Sequence, residues 1–282
     1  MDSQYSAEID SGDRFAFGEN WSNFLRVLDD GRIRRAERSL QDMLGVEALK
    51  GRTFLDAGSG SGLFSLAARR LGASVHSFDY DPQSVACTTE LKRRYFPDDP
   101  EWTIDVASVL DRDYLGRLDT FDVVYSWGVL HHTGAMWQAL ENVAPLVAVE
   151  GQLFIAIYND QGEWSRLWRS LKRIYNRLPE ALRLPYLSLY IGPRELSAIA
   201  SATVKRRPGD YVDNVVHYTE RSLRGMTYWH DMVDWIGGYP FEVAKPEEIF
   251  DFYRDRGFVL ERLKTCAGTH GNNEFVFRRT QA

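Results

Sequence analysis

Apolar residues recur with two different spacings along the chain, and the change between the spacings locates the predicted elements. Runs of roughly four to eight apolar residues are typical of buried strands, and apolar residues three or four positions apart indicate amphipathic helices. Strands are predicted at Thr53–Asp56, Ser74–Asp79, Trp102–Val106, Phe121–Ser126 and Gly151–Tyr158. Helices are predicted over Leu63–Leu71, from Asp81-Pro82 to about Tyr95, and over Ala135–Leu146. Strands that alternate with helices predict a doubly wound, Rossmann-like sheet.

The alternation stops after the fifth strand and resumes near the end of the chain. A helix at Pro246–Arg256 is followed by strands at Phe258–Leu263 and Asn273–Phe277, which are close enough in sequence to pair antiparallel. The predicted fold class is α/β, with a seven-stranded, mostly parallel sheet, an antiparallel last strand and a helical insertion after strand five. Four parts follow from this: an N-terminal helical cap (1–50), a Rossmann-like core (51–158), a helical insertion (159–238) and the completion of the core sheet (239–282).

The composition narrows the class of protein. The chain has 282 residues, of which 44% are hydrophobic and 26% charged, an ordinary globular balance. A net charge of -6 argues against nucleic-acid binding by the whole surface. Cys87 and Cys266 are too few for a disulfide framework or a zinc cluster, and no metal site is predicted. Without a signal peptide or a run of about 20 apolar residues, we expect a soluble, cytoplasmic protein without a membrane span.

A glycine-rich loop, Asp56-Ala57-Gly58-Ser59-Gly60-Ser61-Gly62, follows the first predicted strand. Glycines there let backbone N–H groups approach a ligand where a Cβ would collide. The loop lacks the third glycine of a dinucleotide fingerprint and the lysine of a phosphate-binding P-loop. The acid before the glycines fits a ligand with an ammonium group better than a phosphate. Asp79, at the end of the second strand, can accept hydrogen bonds from both hydroxyls of a ribose, although this alone does not separate the possible cofactors.

Together with Trp127-Gly128-Val129-Leu130-His131-His132 after the fourth strand, these motifs resemble those of class I S-adenosylmethionine-dependent methyltransferases. The resemblance covers about residues 53–158 and 246–278, and the V-L-H-H run is similar to that of small-molecule members such as ubiquinone-pathway O-methyltransferases. It implies S-adenosylmethionine as cofactor and S-adenosylhomocysteine as product. An aromatic segment at Phe15–Trp21 resembles a lid that closes over the cofactor in such enzymes. The cofactor contacts implied are Trp21, Asp56, Gly58, Ser59, Gly60, Asp79, Tyr80, Ser108, Val109, Ser126 and Trp127. Ala107-Ser108-Val109 replaces the Gly-Asp pair that meets the adenine in many members.

Histidines are the candidates for removing a proton from the methyl acceptor, because their pKa lies near neutrality. His131 and His132 follow the fourth strand, at the edge where open α/β sheets bind ligands. Both could equally shape the cofactor pocket. His230 lies in an aromatic and acidic cluster, Trp229–Phe241, where a helix would place it beside Asp234. From this cluster Asp231, Asp234 and Tyr239 are candidate substrate contacts, with packing as the alternative. Asn273, at a polar turn before the last strand, is a fourth candidate.

Residues 163–207 carry ten Arg or Lys and three Glu, a local charge of +7. Apolar residues from Trp164 to Leu178 follow helical spacing, and Arg166, Arg169, Lys172, Arg173 and Arg177 occupy the other faces. Three interpretations compete: a lid over the substrate, which is favoured; a homodimer contact; or a peripheral contact with anionic lipid or nucleic acid. The sequence therefore predicts a methyltransferase for an oxygen or nitrogen of a small molecule, with nucleic acid disfavoured. The alternatives are an RNA methyltransferase and a non-catalytic cofactor-binding subunit.

Overall fold

Seven strands form one sheet in the order β3-β2-β1-β4-β5-β7-β6. The computed structural model describes residues 2–218, 228–269 and 271–280. The strands are β1 (Thr53–Ala57), β2 (Ser74–Asp79), β3 (Trp102–Val106), β4 (Phe121–Trp127), β5 (Val147–Tyr158), β6 (Phe258–Lys264) and β7 (Asn272–Arg279). Neighbours among β1 to β5 pair parallel, whereas β7 is antiparallel to β5 and β6. The predicted Rossmann-like sheet with an antiparallel last strand is confirmed.

Helices precede, connect and follow the strands. Those up to β5 are α1 (Asp2–Asp10), α2 (Gly18–Val27), α3 (Asp30–Leu44), α4 (Leu63–Arg70), α5 (Pro82–Tyr95), α6 (Arg112–Leu115) and α7 (Met136–Val143). Those after β5 are α8 (Glu163–Arg177), α9 (Glu180–Val204), α10 (Pro208–Val216), α11 (Tyr228–Gly237) and α12 (Pro246–Arg254). Within the described residues, no helix combines the length and apolar character needed to cross a membrane.

Consecutive strand residues enter the cores on opposite faces of the sheet, as the two-residue period of a strand requires. Phe54 of β1 packs with α3, α4 and α5, whereas Leu55 packs with α7 and α12. Burial on both faces explains why the central strands read as continuous apolar runs. A third core is formed by α8, α9 and α11 around Trp168 and Ile236, and it reaches Tyr158 at the end of β5. The insertion thereby lies at the carboxyl end of the sheet.

Two element boundaries differ from the sequence prediction for identifiable reasons. Strand β5 begins at Val147 rather than Gly151, and its pairing with β4 shifts register near Gly151. A Cβ on Gly151 would lie 3.0 Å from the carbonyls of Phe121 and Asp122, so glycine allows this irregularity inside the strand. Helix α7 ends at Val143, and Ala144–Leu146 forms a 3-10 turn, because Pro145 has no N–H to continue an α-helix.

Candidate functional site

The glycine loop and Asp79 form one hydrogen-bonded unit at the carboxyl edge of the sheet. The Gly60 N–H donates to Asp79 Oδ2 at 2.8 Å, and the Asp81 N–H donates to Oδ1 at 2.9 Å. Gly58 has φ +91, and a Cβ on it would lie 2.4 Å from Val129 Cγ1. Glycine is thus required by conformation and by space. Parallel pairing of β1 with β2 aligns Ala57 with Phe78, so the two strand ends meet here.

Burial raises the pKa of Asp79 to about 6, against the two backbone hydrogen bonds that lower it. An ionised carboxylate has roughly four lone-pair positions. Within the described residues, each oxygen of Asp79 accepts one backbone hydrogen bond. Each oxygen therefore keeps an acceptor position for a further donor, the requirement for holding two vicinal hydroxyls.

Asp56 accepts the last hydrogen bond of a buried chain. The Trp102 indole N–H donates to Ser77 Oγ (2.9 Å), Ser77 donates to Ser65 Oγ (2.8 Å), and Ser65 donates to Asp56 Oδ2 (2.5 Å). An indole N–H can only donate, so the direction of the chain is fixed and Asp56 is its final acceptor. Burial, together with the charge of Asp79, raises the pKa of Asp56 to about 7.

The N-terminal helices cover this unit. Asp81 caps α5 by accepting from the Gln83 N–H, as its Asp-Pro sequence predicts, and its other oxygen accepts from the Gly18 N–H at 2.7 Å. A Cβ on Gly60 would lie 3.2 Å from the Trp21 indole, so the ring lies over the loop. The sequence predicted Asp81 only as a helix cap and not as an anchor for the N-terminal segment. Its position two residues after Asp79 was the available signal.

Glu8 and Arg14 join the same cover and were also missed. The Tyr80 hydroxyl donates to Glu8 Oε1 at 3.2 Å, and the Arg14 guanidinium lies 4.8 Å from the Tyr80 ring centroid. Arg14 also donates to the carbonyl of His132 at 3.2 Å. No local motif marks these residues, because their partners are distant in sequence.

A cavity of about 1000 Å³ runs from this unit to the insertion. The predicted site residues that line it are Trp21, Asp56, Gly58, Ser59, Gly60, Asp79, Tyr80, Ser108, Val109, Trp127, His132 and Asp234. Tyr158, Trp168, Tyr190 and Trp235 make its far end aromatic. Ser108 Oγ accepts from the Leu110 N–H at 3.1 Å, which leaves its hydroxyl proton to point elsewhere.

Four predicted residues lie outside the lining of this cavity. Ser126 is buried and donates to the Ala57 carbonyl at 2.7 Å, because strand alternation turns its neighbours Tyr125 and Trp127 to the cavity instead. Alternation likewise places Asn272 and Glu274 in the lining, while Asn273 donates to Asn159 Oδ1 at 3.0 Å. The Tyr239 ring packs in the third core.

His131 is the fourth, and its neighbour His132 lines the cavity. Both belong to a 3-10 turn, Leu130–His132, in which successive side chains point about 120° apart. His131 is fully buried, with its ring centroid 4.0 Å from that of Tyr158. His132 Nδ1 lies 2.6 Å from the Pro240 carbonyl. A carbonyl only accepts, so Nδ1 carries a proton; in the neutral ring Nε2 then has the lone pair, which is the tautomer of a base.

Asp234 brings a buried acid to the aromatic end of the cavity, and its charge acts on Lys172. The sequence pattern grouped Lys172 with the arginines on the faces of the helix other than the apolar one, and in the structure Lys172 is fully buried. Its Nζ donates to the Trp235 carbonyl and lies 4.5 Å from the Trp235 ring centroid and 4.9 Å from that of Phe241. Burial lowers the pKa of Lys172 to about 7, and the charge of Asp234 opposes this.

Helix α11 contains the two remaining candidates, His230 and Asp231, whose side chains lie outside the described part of the chain. Within the described residues, no group of three or more His, Cys, Asp or Glu is arranged to hold a metal ion.

Residues 55–153 match the family model described as a methyltransferase domain. Among curated proteins, the chain is 38% identical over 86 residues to the tRNA U34 carboxymethyltransferase of Pseudomonas syringae pv. syringae, covering 30% of this chain and 25% of that protein. It is 34% identical over 207 residues to the protein of that name from Klebsiella pneumoniae subsp. pneumoniae, covering 68% and 57%. The chain thus spans about a quarter to somewhat over half the length of these relatives.

Among solved structures, the fold is similar to magnesium protoporphyrin IX methyltransferase from Synechocystis PCC 6803 with bound S-adenosylhomocysteine. The TM-score is 0.51 and the identity 14%, and the match covers 88% of this chain and 84% of that one. This likeness concerns the fold.

Proposed function

The chain carries a class I S-adenosylmethionine-dependent methyltransferase domain, and on this premise we propose that it transfers a methyl group to an oxygen or nitrogen of a small aromatic molecule. One observation supports this most: the Asp79–Gly60 unit and an aromatic chamber lie at the two ends of one cavity. The closer resemblance to ubiquinone-pathway enzymes remains a prediction, as do a homodimer and a cytoplasmic location.

The lining fits S-adenosylmethionine part by part. Asp79 retains one acceptor position on each oxygen for the two ribose hydroxyls. Asp56, buried and acidic, suits the ammonium group of the methionine part, and the positive-φ glycines leave room for close approach of the ligand. Ser108 and Val109 line the same cavity and would meet the adenine. When bound, S-adenosylmethionine supplies a methyl group on a sulfonium, which attracts a nucleophile.

The residues of the chain align the acceptor, exclude water and accept a proton. Trp21, with Phe15 and Phe17, closes one side of the cavity. Aromatic faces also attract a cationic sulfonium. His132, with Nδ1 bound to the Pro240 carbonyl, presents Nε2 as the proton acceptor for a hydroxyl or amine.

The acceptor end favours a flat molecule with one polar group. Trp168 and Trp235 meet edge to face, with centroids 5.5 Å apart, and Tyr190 packs on Trp168 at 4.8 Å. Such a wall can pack against the aromatic ring of an acceptor in a stacked or an edge-to-face arrangement. Asp234, the acid on this wall, would accept a hydrogen bond from an acceptor hydroxyl or amine.

A base of tRNA is the second candidate acceptor, favoured by the names of the curated relatives. An enzyme that modifies a base draws it out of the stack and holds it between aromatic side chains. The aromatic chamber suits this as well, and Arg35, Arg38 and Lys264 line the cavity as possible phosphate contacts. The sequence-based prediction against nucleic acid is therefore tested by comparing tRNA with small molecules as methyl acceptors.

Calorimetry with S-adenosylhomocysteine tests the cofactor assignment, with micromolar binding expected; a folded protein that does not bind millimolar ligand would refute it. The acceptor is then sought by incubating protein and radiolabelled S-adenosylmethionine with either bulk tRNA or a small-molecule extract. Label recovered in the small-molecule fraction supports the main proposal. Label recovered in tRNA alone refutes it in favour of the second candidate.

A further inference from the structure

Helix α9 is apolar on two opposite faces. Its inner face packs in the third core through Leu187 and Ile191, which are 2% and 8% exposed. On its outer face, Leu182, Leu189 and Leu196 recur every seven residues and are 51%, 77% and 69% exposed. A helix that packs on a domain by one face normally has a polar outer face. The outer leucines therefore require a partner to explain them.

Exposed apolar side chains are concentrated in this part of the molecule. Of the 18 large hydrophobic residues that are exposed in the described structure, 11 lie within residues 164–216. We define the outer stripe of α9 as Leu182, Leu189, Leu196, Ile199 and Val204. Single exposed apolar residues need no explanation, but a row of them along one helix marks an interaction surface.

The charge around the outer stripe identifies the kind of partner. Residues 163–207 carry a formal charge of +7 within a chain of net charge -6, and all of their basic residues except the fully buried Lys172 are exposed or half-buried. Lys205, Arg206 and Arg207 are exposed and directly follow the stripe. A second copy of the chain would bring one basic region against another. Nucleic acid would match the charge but leave the leucines in water. An anionic lipid surface satisfies both, because headgroups pair with the basic residues while the apolar side chains enter the acyl boundary.

We propose that the outer stripe of α9, with the basic residues around it, docks the protein peripherally on an anionic membrane. The helix lies in the plane of the interface and does not span it. Long Arg and Lys side chains bury their stems and reach the headgroups, so the basic residues and the leucines can bind together. This contact is separate from the cofactor site, and its test does not depend on methyl transfer.

The test is sedimentation of the full-length protein with lipid vesicles. Vesicles of phosphatidylcholine containing about a third phosphatidylglycerol should bind the protein, and phosphatidylcholine alone should not, with binding weakened by salt. Leu189→Ser with Leu196→Ser should lower binding to the anionic vesicles by roughly tenfold or more. Val149→Ser with Val259→Ser removes residues that are 53% and 47% exposed on the sheet, and this control should leave binding unchanged.

Unchanged calorimetry with S-adenosylhomocysteine would show that each variant is folded. Equal binding to both kinds of vesicle, no binding at low salt, or no effect of the leucine variant would overturn the proposal. Light scattering that finds a dimer abolished by the leucine variant, without vesicle binding, would assign the surface to a second copy. Binding of tRNA that survives the leucine variant, without vesicle binding, would assign the basic residues to nucleic acid.

Discussion

The carboxylate of Asp79 accepts a hydrogen bond from the backbone of Gly60, 2.8 Å away, and so joins the tip of β2 to the loop after β1. The loop amide and the acid thereby fix each other before any ligand enters. The acceptor positions that remain on Asp79 point to a ligand with neighbouring hydroxyls. This arrangement separates an adenosyl ligand from a bare phosphate, for which a buried acid would be repulsive.

Asp79→Ala should weaken binding of S-adenosylhomocysteine by roughly 100-fold, because it removes two hydrogen bonds to a charged acceptor, each worth about 1.5 kcal/mol or more. Calorimetry gives the dissociation constant. Asp113→Ala, an exposed acid on α6, is the matched control and should bind normally. Equal affinity in the two variants would show that Asp79 does not hold the ribose.

Binding of the cofactor product should strengthen as the pH rises from about 5.5 to 7.5. The pKa of Asp79 is about 6 and that of Asp56 about 7, both raised mainly by burial, so both become better acceptors over this interval. Calorimetry at several pH values measures this dependence. An Asp56→Asn variant should bind more weakly, with a flatter profile above pH 6, whereas a profile identical to that of the parent would contradict the role of Asp56.

The thermal stability of the ligand-free protein should fall over the same rise in pH that strengthens product binding. Both folded pKa values lie above the unfolded value, so these groups bind protons more tightly in the folded state. Their contribution is fully present below about pH 4, the unfolded pKa, and is lost as the pH rises through 6 and 7. Asp56→Asn removes one of these groups. Its melting temperature, measured by calorimetry, should therefore fall less between pH 5.5 and 8 than that of the parent.

Ser65→Ala should raise the pKa of Asp56 further, because it removes the hydroxyl that donates to the buried carboxylate. We expect weaker product binding at pH 7 that recovers toward pH 8.5, and a loss of stability of about 1–3 kcal/mol. Trp102→Phe interrupts the same chain at its far end and should destabilise the protein with a smaller effect on binding. A Ser65→Ala protein whose binding profile is unshifted would show that the chain does not act on Asp56.

Local sequence was sufficient for the cofactor end of the site. The glycine loop and Asp79 each end a strand that is recognisable from its own residues, and parallel strands bring their carboxyl ends together. Asp81 was predicted as a helix cap from its Asp-Pro sequence, and the structure has it in that position. Its hydrogen bond to Gly18 joins segments far apart in sequence and left no local trace.

The acceptor end required side-chain directions that sequence could not supply. The V-L-H-H run did not distinguish His131 from His132, because their directions depend on a 3-10 turn that the pattern does not reveal. Lys172 follows the helical spacing of the exposed arginines. Its burial depends on Trp168, one turn earlier in α8, and on Trp235, which α11 brings to it.

His132→Ala should lower kcat for methyl transfer to a hydroxyl or amine acceptor by roughly 100-fold or more. The affinity for the product should change little. The reason is that Nε2 is the proton acceptor and the cofactor contacts lie elsewhere. The assay follows S-adenosylhomocysteine release with the acceptor fraction identified above. His132→Gln, which keeps a polar side chain without a titrating base, should be equally inactive; full activity in this variant would assign His132 to the shape of the pocket.

Lys172 and Asp234 should depend on each other for stability. A single Lys172→Met change removes the hydrogen bond to the Trp235 carbonyl and the positive charge that acts on Asp234, and we expect a loss of about 1–3 kcal/mol. Asp234→Asn alone should destabilise less, since burial already lowers the pKa of Lys172 to about 7 and its amine can become neutral. The double variant should lose less stability than the sum of the two single changes, because the charge of Asp234 acts on Lys172. Urea unfolding of all four proteins gives the coupling energy, and strict additivity would show that the two charges do not interact.

Product affinity should be retained in every folded variant of Lys172 and Asp234, whereas methyl transfer to the acceptor should fall wherever Asp234 is replaced. This difference separates the role of Asp234 in the acceptor chamber from its role in the core.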